Sequence, residues 1–452
     1  MKTSNHILAS GLLLVSMAYA QQPDHGAMHD MPGDTMSSSL LPSLPMTRDG
    51  SGTSWIPDTS PMHAVHAGAH VWVLMFHGLA FLRYTSQDAF ESGARGESAL
   101  DAPNWFMAMA QHRLGDTGRL GLRGMVSLDP LTEGGHGYPL LFQTGETFEG
   151  EPLIDRQHPH DLFMELATIY GRDLSRDLGF FAYFGYPGEP ALGPTSFPHR
   201  PSARHNPDAP LGHHWQDATH ISFGVATLGL RFGDFKLDGS VFTGREPNEE
   251  RYGFDRPRFD SYAARLTANP NDRLSFQVSR GFLKSPEVLE PEQDLWRTTA
   301  SIIHNNPFPR QGNWATTLLW GMNEATGGDD EDPRPLHSLL LESDLQVGPQ
   351  VFYTRLDWVE KPAHDLALEE QFGEDRFFRI GSATFGAARD LIHLGSFKLM
   401  AGAQGILYKV PSALRPLYGD NPVSLEVFLR LSPTLMIPGG RRAGGAHQMH
   451  QL

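Results

Sequence analysis

The sequence predicts an all-β chain, a closed antiparallel transmembrane β-barrel of about 16 strands with short periplasmic turns and long extracellular loops. Three observations carry that expectation: an export signal, period-two alternation of apolar and polar residues along most of the 452 residues, and the sorting of connections into a short and a long set.

The export signal comes first. Lys2 is a short positive n-region, Ile7 to Ala18 is an apolar stretch, and Ala18-Tyr19-Ala20 reads as an A-x-A cleavage site. Residues 1–20 are therefore expected to be a signal peptide, too short in its apolar part to span a bilayer comfortably. Residues 21–68, rich in Gly, Pro, Ser and Met with little periodicity, read as a flexible periplasmic leader.

From residue 69 the period is two. Phe235, Leu237 and Val241 alternate with Lys236, Asp238 and Ser240; Val423, Leu425, Val427, Leu429 and Leu431 alternate with Ser424, Glu426, Phe428, Arg430 and Ser432. Strands are expected near 69–85, 102–114, 118–130, 160–172, 178–186, 218–232, 234–244, 258–268, 273–283, 294–306, 312–323, 336–347, 350–360, 375–388, 393–409 and 422–432. A soluble sandwich also alternates, so the connections decide. Gly115-Asp116-Thr117, Gly233-Asp234, Asn269-Pro270-Asn271-Asp272 and Gly348-Pro349 are tight turns. Every intervening connection is long, from 86–101 and 131–159 through 187–217 to 410–421. That segregation, with an even strand count, belongs to barrels of the bacterial outer membrane, with barrel lipid and the barrel-assembly machinery as the partners implied.

Aromatics near strand ends, namely Trp72, Tyr84, Trp105, Trp314, Trp320, Phe352 and Trp358, are expected to form interfacial girdles. The barrel is assigned to 69–432 and a flexible tail to 433–452. Such barrels typically close on a strand with a terminal aromatic; here Pro433 ends the strand, so assembly would rest on an internal signal that includes Phe428.

Bulk properties narrow the functions. There is no cysteine, hence no disulfide and no thiolate metal site. Mean hydropathy is -0.33, low for a membrane protein unless each strand shows lipid only every second side chain. Net charge is -16, which disfavours nucleic acid as a partner and mildly favours cations over anions as passengers.

The chemistry lies in two places. Arg123, Asp129, Lys236, Asp238, Glu342, Asp344, Arg355, Asp357, Glu426 and Arg430 fall on the lumen face. They could line a water-filled pore or close the lumen with salt bridges, since either keeps charge from lipid. A sixteen-strand barrel resembles the general porins, which implies room for an aqueous channel.

Histidine is the second signal: eight of 22 (His136, His158, His160, His199, His205, His213, His214 and His220) lie between residues 136 and 220. In Asp155-Arg156-Gln157-His158-Pro159-His160-Asp161 an extended backbone points both imidazoles one way, with Asp161 and Asp155 placed to orient them. With His213 and His214 from the next loop they could ligate Cu(II), Zn(II) or Ni(II). They could equally hydrogen-bond across the lumen to hold a constriction, or titrate to gate a pore near neutral pH. In the leader, His25, Met28, His29 and Met31, followed by Met36, mix thioether and imidazole donors suited to copper, and His447, Met449 and His450 repeat the mixture. The stretch 24–36 resembles the leader of the outer-membrane copper-resistance B proteins, which implies copper handling.

No Gly-x-Ser-x-Gly elbow or His-Glu-x-x-His helix is present, so a non-enzymatic role is expected. The expected function is a passive or gated outer-membrane channel for a small solute or metal ion, linked to transition-metal handling. The alternatives are a metal-sequestering barrel with a plugged lumen and an outer-membrane hydrolase.

Overall fold

The computed structural model describes residues 37–90, 93–327, 334–373 and 375–435. Twenty strands appear: β1 (Val65–Ala69), β2 (Trp72–Ser86), β3 (Ser98–Asp101), β4 (Asn104–Leu114), β5 (Gly118–Val126), β6 (Tyr138–Phe148), β7 (Glu151–Gln157), β8 (Phe163–Asp173), β9 (Leu178–Gly185), β10 (Val225–Phe232), β11 (Phe235–Phe242), β12 (Ser261–Asn271), β13 (Leu274–Leu283), β14 (Gln293–Phe308), β15 (Gly312–Gly327), β16 (Leu336–Val347), β17 (Gln350–Pro362), β18 (Phe377–Leu394), β19 (Phe397–Lys409) and β20 (Val423–Pro433). Sixteen of the resulting staves form a closed antiparallel barrel. Both β3 and β4 pair with β2 and are two pieces of one stave, interrupted at Ala102-Pro103, where proline has no N–H to give. The ring closes where Ala80 to Ser86 of β2 meets Leu431 to Leu425 of β20. Closure removes every free edge, which a sheet in hydrocarbon requires.

β1 is not a seventeenth stave. It pairs with Trp72–Phe76 on the edge of β2 that β20 leaves open, and His63 bridges Leu435. Strands β6 and β7 make a separate hairpin inside the connection expected to be a plain loop at 131–159.

The facing of side chains decides the environment. Along β11, Phe235, Leu237 and Val241 are 55%, 50% and 49% exposed, while Lys236 and Asp238 are 0% and 1% exposed. A soluble sheet buries leucine and exposes lysine; this one does the reverse. Leu228, Leu230 and Phe232 on β10 and Leu266 on β12 continue the outward apolar surface. Only lipid makes that arrangement favourable, at about 25 cal/mol for each Å2 of apolar surface kept from water. Outward Tyr84, Trp314 and Phe352 fit the expected girdles. Trp105 does not: it is buried in the lumen, its ring 4.6 Å from His199 and 5.3 Å from His77.

The leader assignment also needs correction. Residues 37–64 do not trail below the barrel; they fold into its lumen, with Leu40, Leu41, Leu44, Met46 and Trp55 buried. The sequence there lacks periodicity because, apart from a single 3-10 turn at Met46–Arg48 and isolated bridges, the segment is irregular. It satisfies its backbone on the barrel wall instead. The signal peptide, residues 24–36 and the tail beyond 435 lie outside the described residues.

Candidate functional site

The lumen is filled from three directions, and the wall supplies the polar partners each filling segment needs. At the end bearing the short turns, segment 37–64 lies across β5 and β8 to β14. Arg123 donates to the Gly52 carbonyl (2.7 Å) and to Ser39 Oγ. Lys236 Nζ donates to the Thr53 carbonyl, and Thr53 Oγ1 donates to Asp238 (2.7 Å), which also receives Arg265 (2.8 Å). Ser275 and Asn269 donate to the carbonyls of Trp55 and Ile56. These bonds give the irregular backbone what a regular ladder would otherwise provide. Gly171 of β8 has no side chain because the Leu40 carbonyl occupies the space a Cβ would take.

The second filler is the long connection 186–224, which folds inward. Arg200 sits between Glu342 (2.5 Å) and Asp217 (2.6 Å), and Arg355 reaches the other oxygen of Glu342 (3.1 Å). His205 Nδ1 lies 2.7 Å from Asp344. Arg83 bridges Asp101 (2.8 Å) and Asp208, with Glu426 at 3.6 Å. Gly321 of β15 admits the Trp215 carbonyl as Gly171 admits Leu40. Ser51 and Ser54 of the first segment meet Glu189 (2.9 Å) and Thr195 (2.8 Å) of this one, so the two fillers touch.

The third is the β6–β7 hairpin at the loop end. Tyr138 lies under the Arg83 guanidinium at 4.1 Å, Phe142 stacks on Tyr418 at 4.1 Å, and Lys361 Nζ donates to Thr144 (2.8 Å).

Of the expected lumen residues, Arg123, Lys236, Asp238, Glu342, Asp344, Arg355, Asp357, Glu426 and Arg430 are buried on the inner face. Most engage another charge, so of the two arrangements the sequence allowed, the described residues form ion pairs across the lumen. Asp129 is buried too, but it opens a one-turn helix beyond β5 instead of lying on a strand. There it accepts from His160 Nδ1 (2.7 Å) and the Asn104 N–H (2.9 Å).

The histidines converge without forming the expected ligand set. His158 and His160 do not share a face: His158 packs beside His213 and His214 (ring centroids 6.3 and 5.7 Å), while His160 turns to His220 (5.4 Å). Asp161 orients neither ring. It pairs with Arg251 at 3.5 Å, and Asp155 is taken by the Phe142 N–H, Arg95 and Tyr418. The carboxylates facing His158 and His213 are Glu146 (3.2 Å) and Asp217 (2.7 Å). Among the described residues, no group of three or more His, Asp or Glu is placed to hold a metal ion. His25, Met28, His29 and Met31 lie outside the described residues.

His213 and His220 are held neutral by their surroundings. Burial pushes His213 down to about 4 against the opposing pull of Asp217, and burial with the neighbouring His213 and His160 pushes His220 down to about 3. Burial likewise pushes the Glu189 carboxyl up to about 8.

Sequence reading missed several groups that matter. Arg83, Arg265 and Arg200 hold the fillers, and the first two were legible as charged residues at lumen-phase positions. The larger omission is a set of methionines on the same phase, among them Met75, Met107 and Met109, which read as ordinary apolar residues.

The fold and the occupied lumen define a class: a sixteen-stave transmembrane β-barrel of the bacterial outer membrane. Among solved structures the chain is similar to an anion-selective porin from Comamonas acidovorans (TM-score 0.49, 12% identity, covering 80% of this chain and 99% of that one). It is also similar to OmpF of Salmonella typhi, solved with daunomycin (TM-score 0.47, 7% identity, 81% and 100%), and to OccAB2 of Acinetobacter baumannii (0.40, 11%, 79% and 97%). No protein-family model and no curated protein matches the chain.

Proposed function

We propose that the protein is a gated outer-membrane channel for a small cargo, described here in its closed state. The supporting observation is how the lumen is filled. Segments 37–64 and 186–224 reach the wall through many polar and ionic contacts that water can replace, alongside apolar packing of Leu40, Leu41, Leu44 and Trp55 in the first and of Leu211 and Trp215 in the second. Such fillers dock specifically and can also leave.

Recording in planar bilayers tests this. Deleting residues 37–64 behind an intact signal is expected to raise the steady conductance of the purified, folded barrel well above that of the full chain. If both are silent, the channel reading fails and a barrel that sequesters its ligand behind a permanent plug takes its place.

A further inference from the structure

We propose that the lumen contains a binding site for a soft monovalent cation, Cu(I) or Ag(I), built from methionine thioethers on β2, β4 and β5 and from histidines of the two fillers. The site rests on the channel reading only for where the ion goes next. Binding itself is measured independently of conduction.

The geometry starts with strand register. Met75 of β2 is directly opposite Met109 of β4. Two residues along, His77 is opposite Met107, and Met107 is in turn opposite Met125 of β5. Directly opposed residues on one face hold their Cβ atoms about 4.5–5.5 Å apart, so these long side chains form one continuous patch. All four methionines are buried and all line a single cavity of about 130 Å3. His77 Nε2 is already 3.0 Å from Met107 Sδ.

The fillers complete the enclosure. Met46 and Met62 of segment 37–64 line the same cavity from the opposite side, with His63 beside them. Both ring nitrogens of His63 are buried without a hydrogen-bond partner, and His220 Nε2, also on the cavity, is in the same condition. A buried imidazole nitrogen with no partner is destabilising, a cost that a bound cation would relieve.

The donor set selects the ion. Elsewhere the inner wall carries Arg, Asp, Glu, Ser and Thr, and its apolar filling is largely aliphatic and aromatic, as at Ile169, Phe181, Val351 and Tyr353, side chains with better-defined rotamers than methionine. A thioether is a neutral, polarisable donor that favours Cu(I) and Ag(I) over Zn(II) or Ca(II), which prefer imidazole, carboxylate or water. A monovalent ion also needs little charge compensation. The cavity's own arginines set the limit: Arg123 is matched by Asp49 at 3.5 Å and Glu165 at 3.9 Å and Arg200 by Asp217 and Glu342, while Arg204 also lines it, so an ion of single charge is the most it can accept.

The test is Ag(I) and Cu(I) binding to the full chain in detergent, comparing wild type with Met75→Leu/Met107→Leu/Met109→Leu/Met125→Leu. These replacements keep volume and apolarity, so packing of the lumen is little changed. Methionines outside the cavity are common to both proteins and cancel in the difference. The variant is expected to lose one equivalent of tightly held ion and the corresponding metal–sulfur shell in X-ray absorption. Equal stoichiometry and an equal sulfur shell would overturn the site. If that variant does not fold, 13C-methyl methionine spectra of wild type titrated with Ag(I) replace it. Shifts at resonances lost in single Met75→Leu and Met107→Leu proteins support the site, and unmoved resonances overturn it.

Discussion

Arg200 shows how the lumen is held at the level of one side chain. It is fully buried, and its two carboxylate partners come from different elements, Asp217 from its own connection and Glu342 from the wall. Truncation to Ala leaves two buried carboxylates facing each other and is expected to weaken docking of 186–224 by about 3–5 kcal/mol. The measurement is tryptic cleavage within that connection, which Arg204 makes possible. Arg200→Ala should be nicked far faster than wild type, and Glu342→Gln added to it should restore part of the protection. An unchanged cleavage rate would mean the ion triad does not hold the connection in place. The histidines beside it give a pH dependence with a defined sign. His213 is lowered from 6.5 to about 4 when docked, so an undocked connection binds the extra proton. The contributions of His213 and His220 to docking are therefore fully present above about pH 6.5 and are lost as pH falls toward 4, the two together outweighing Glu189, which is pushed up to about 8 when docked and contributes in the opposite sense. Asp217 opposes that shift, while His214 and His160 reinforce it. Open probability in bilayers should rise between pH 7 and pH 4.5; a flat profile contradicts this role.

At the scale of elements, the glycine notches and the outward faces each carry a prediction. Gly171 and Gly321 let the backbone of a filler approach the wall more closely than any side chain would permit. Gly171→Val should expel segment 37–64 and Gly321→Val segment 186–224, each raising conductance without unfolding the barrel, whose heat-modifiable mobility on gels reports closure. On the lipid side, Leu228→Arg places a charge at the middle of β10 and is expected to cost about 2–4 kcal/mol in refolding into bilayers, whereas an arginine on the lumen face is ordinary here. The elements are also where legibility divides. The staves were readable because period-two alternation and turn residues are local signals: Gly348-Pro349 and Gly233-Asp234 fall at tight connections in the structure. The β6–β7 hairpin was not, since its two strands pair irregularly and rest on partners such as Tyr418 and Lys361 far along the chain.

For the whole molecule, alternation told which residues face inward but not what stands opposite them. Lys236 and Asp238 were placed on the lumen face from sequence, yet their partner Thr53 belongs to a segment with no pattern, read as a free leader. The same blindness hid the methionine patch. Met107 and Met109 look like lipid-facing or core residues until register sets them beside Met75, His77 and Met125. Histidine density marked two connections whose rings do meet inside the barrel, but the rings' partners, Asp129, Glu146 and Asp217, come from places that spacing could not reveal. The molecule is a barrel whose interior is filled by segments 37–64 and 186–224 and the β6–β7 hairpin, and the proposed function requires that the first two can leave.

The most direct test of that account uses the absence of native cysteine. Ser202 of the inward connection and Thr317 of β15 bring their hydroxyls to 2.6 Å. A Ser202→Cys/Thr317→Cys protein can therefore be locked by a disulfide and released by reductant while a single channel is being recorded. The account predicts silence when oxidised and opening events when reduced, reversible in the same membrane. Equal open probability in both states would contradict it.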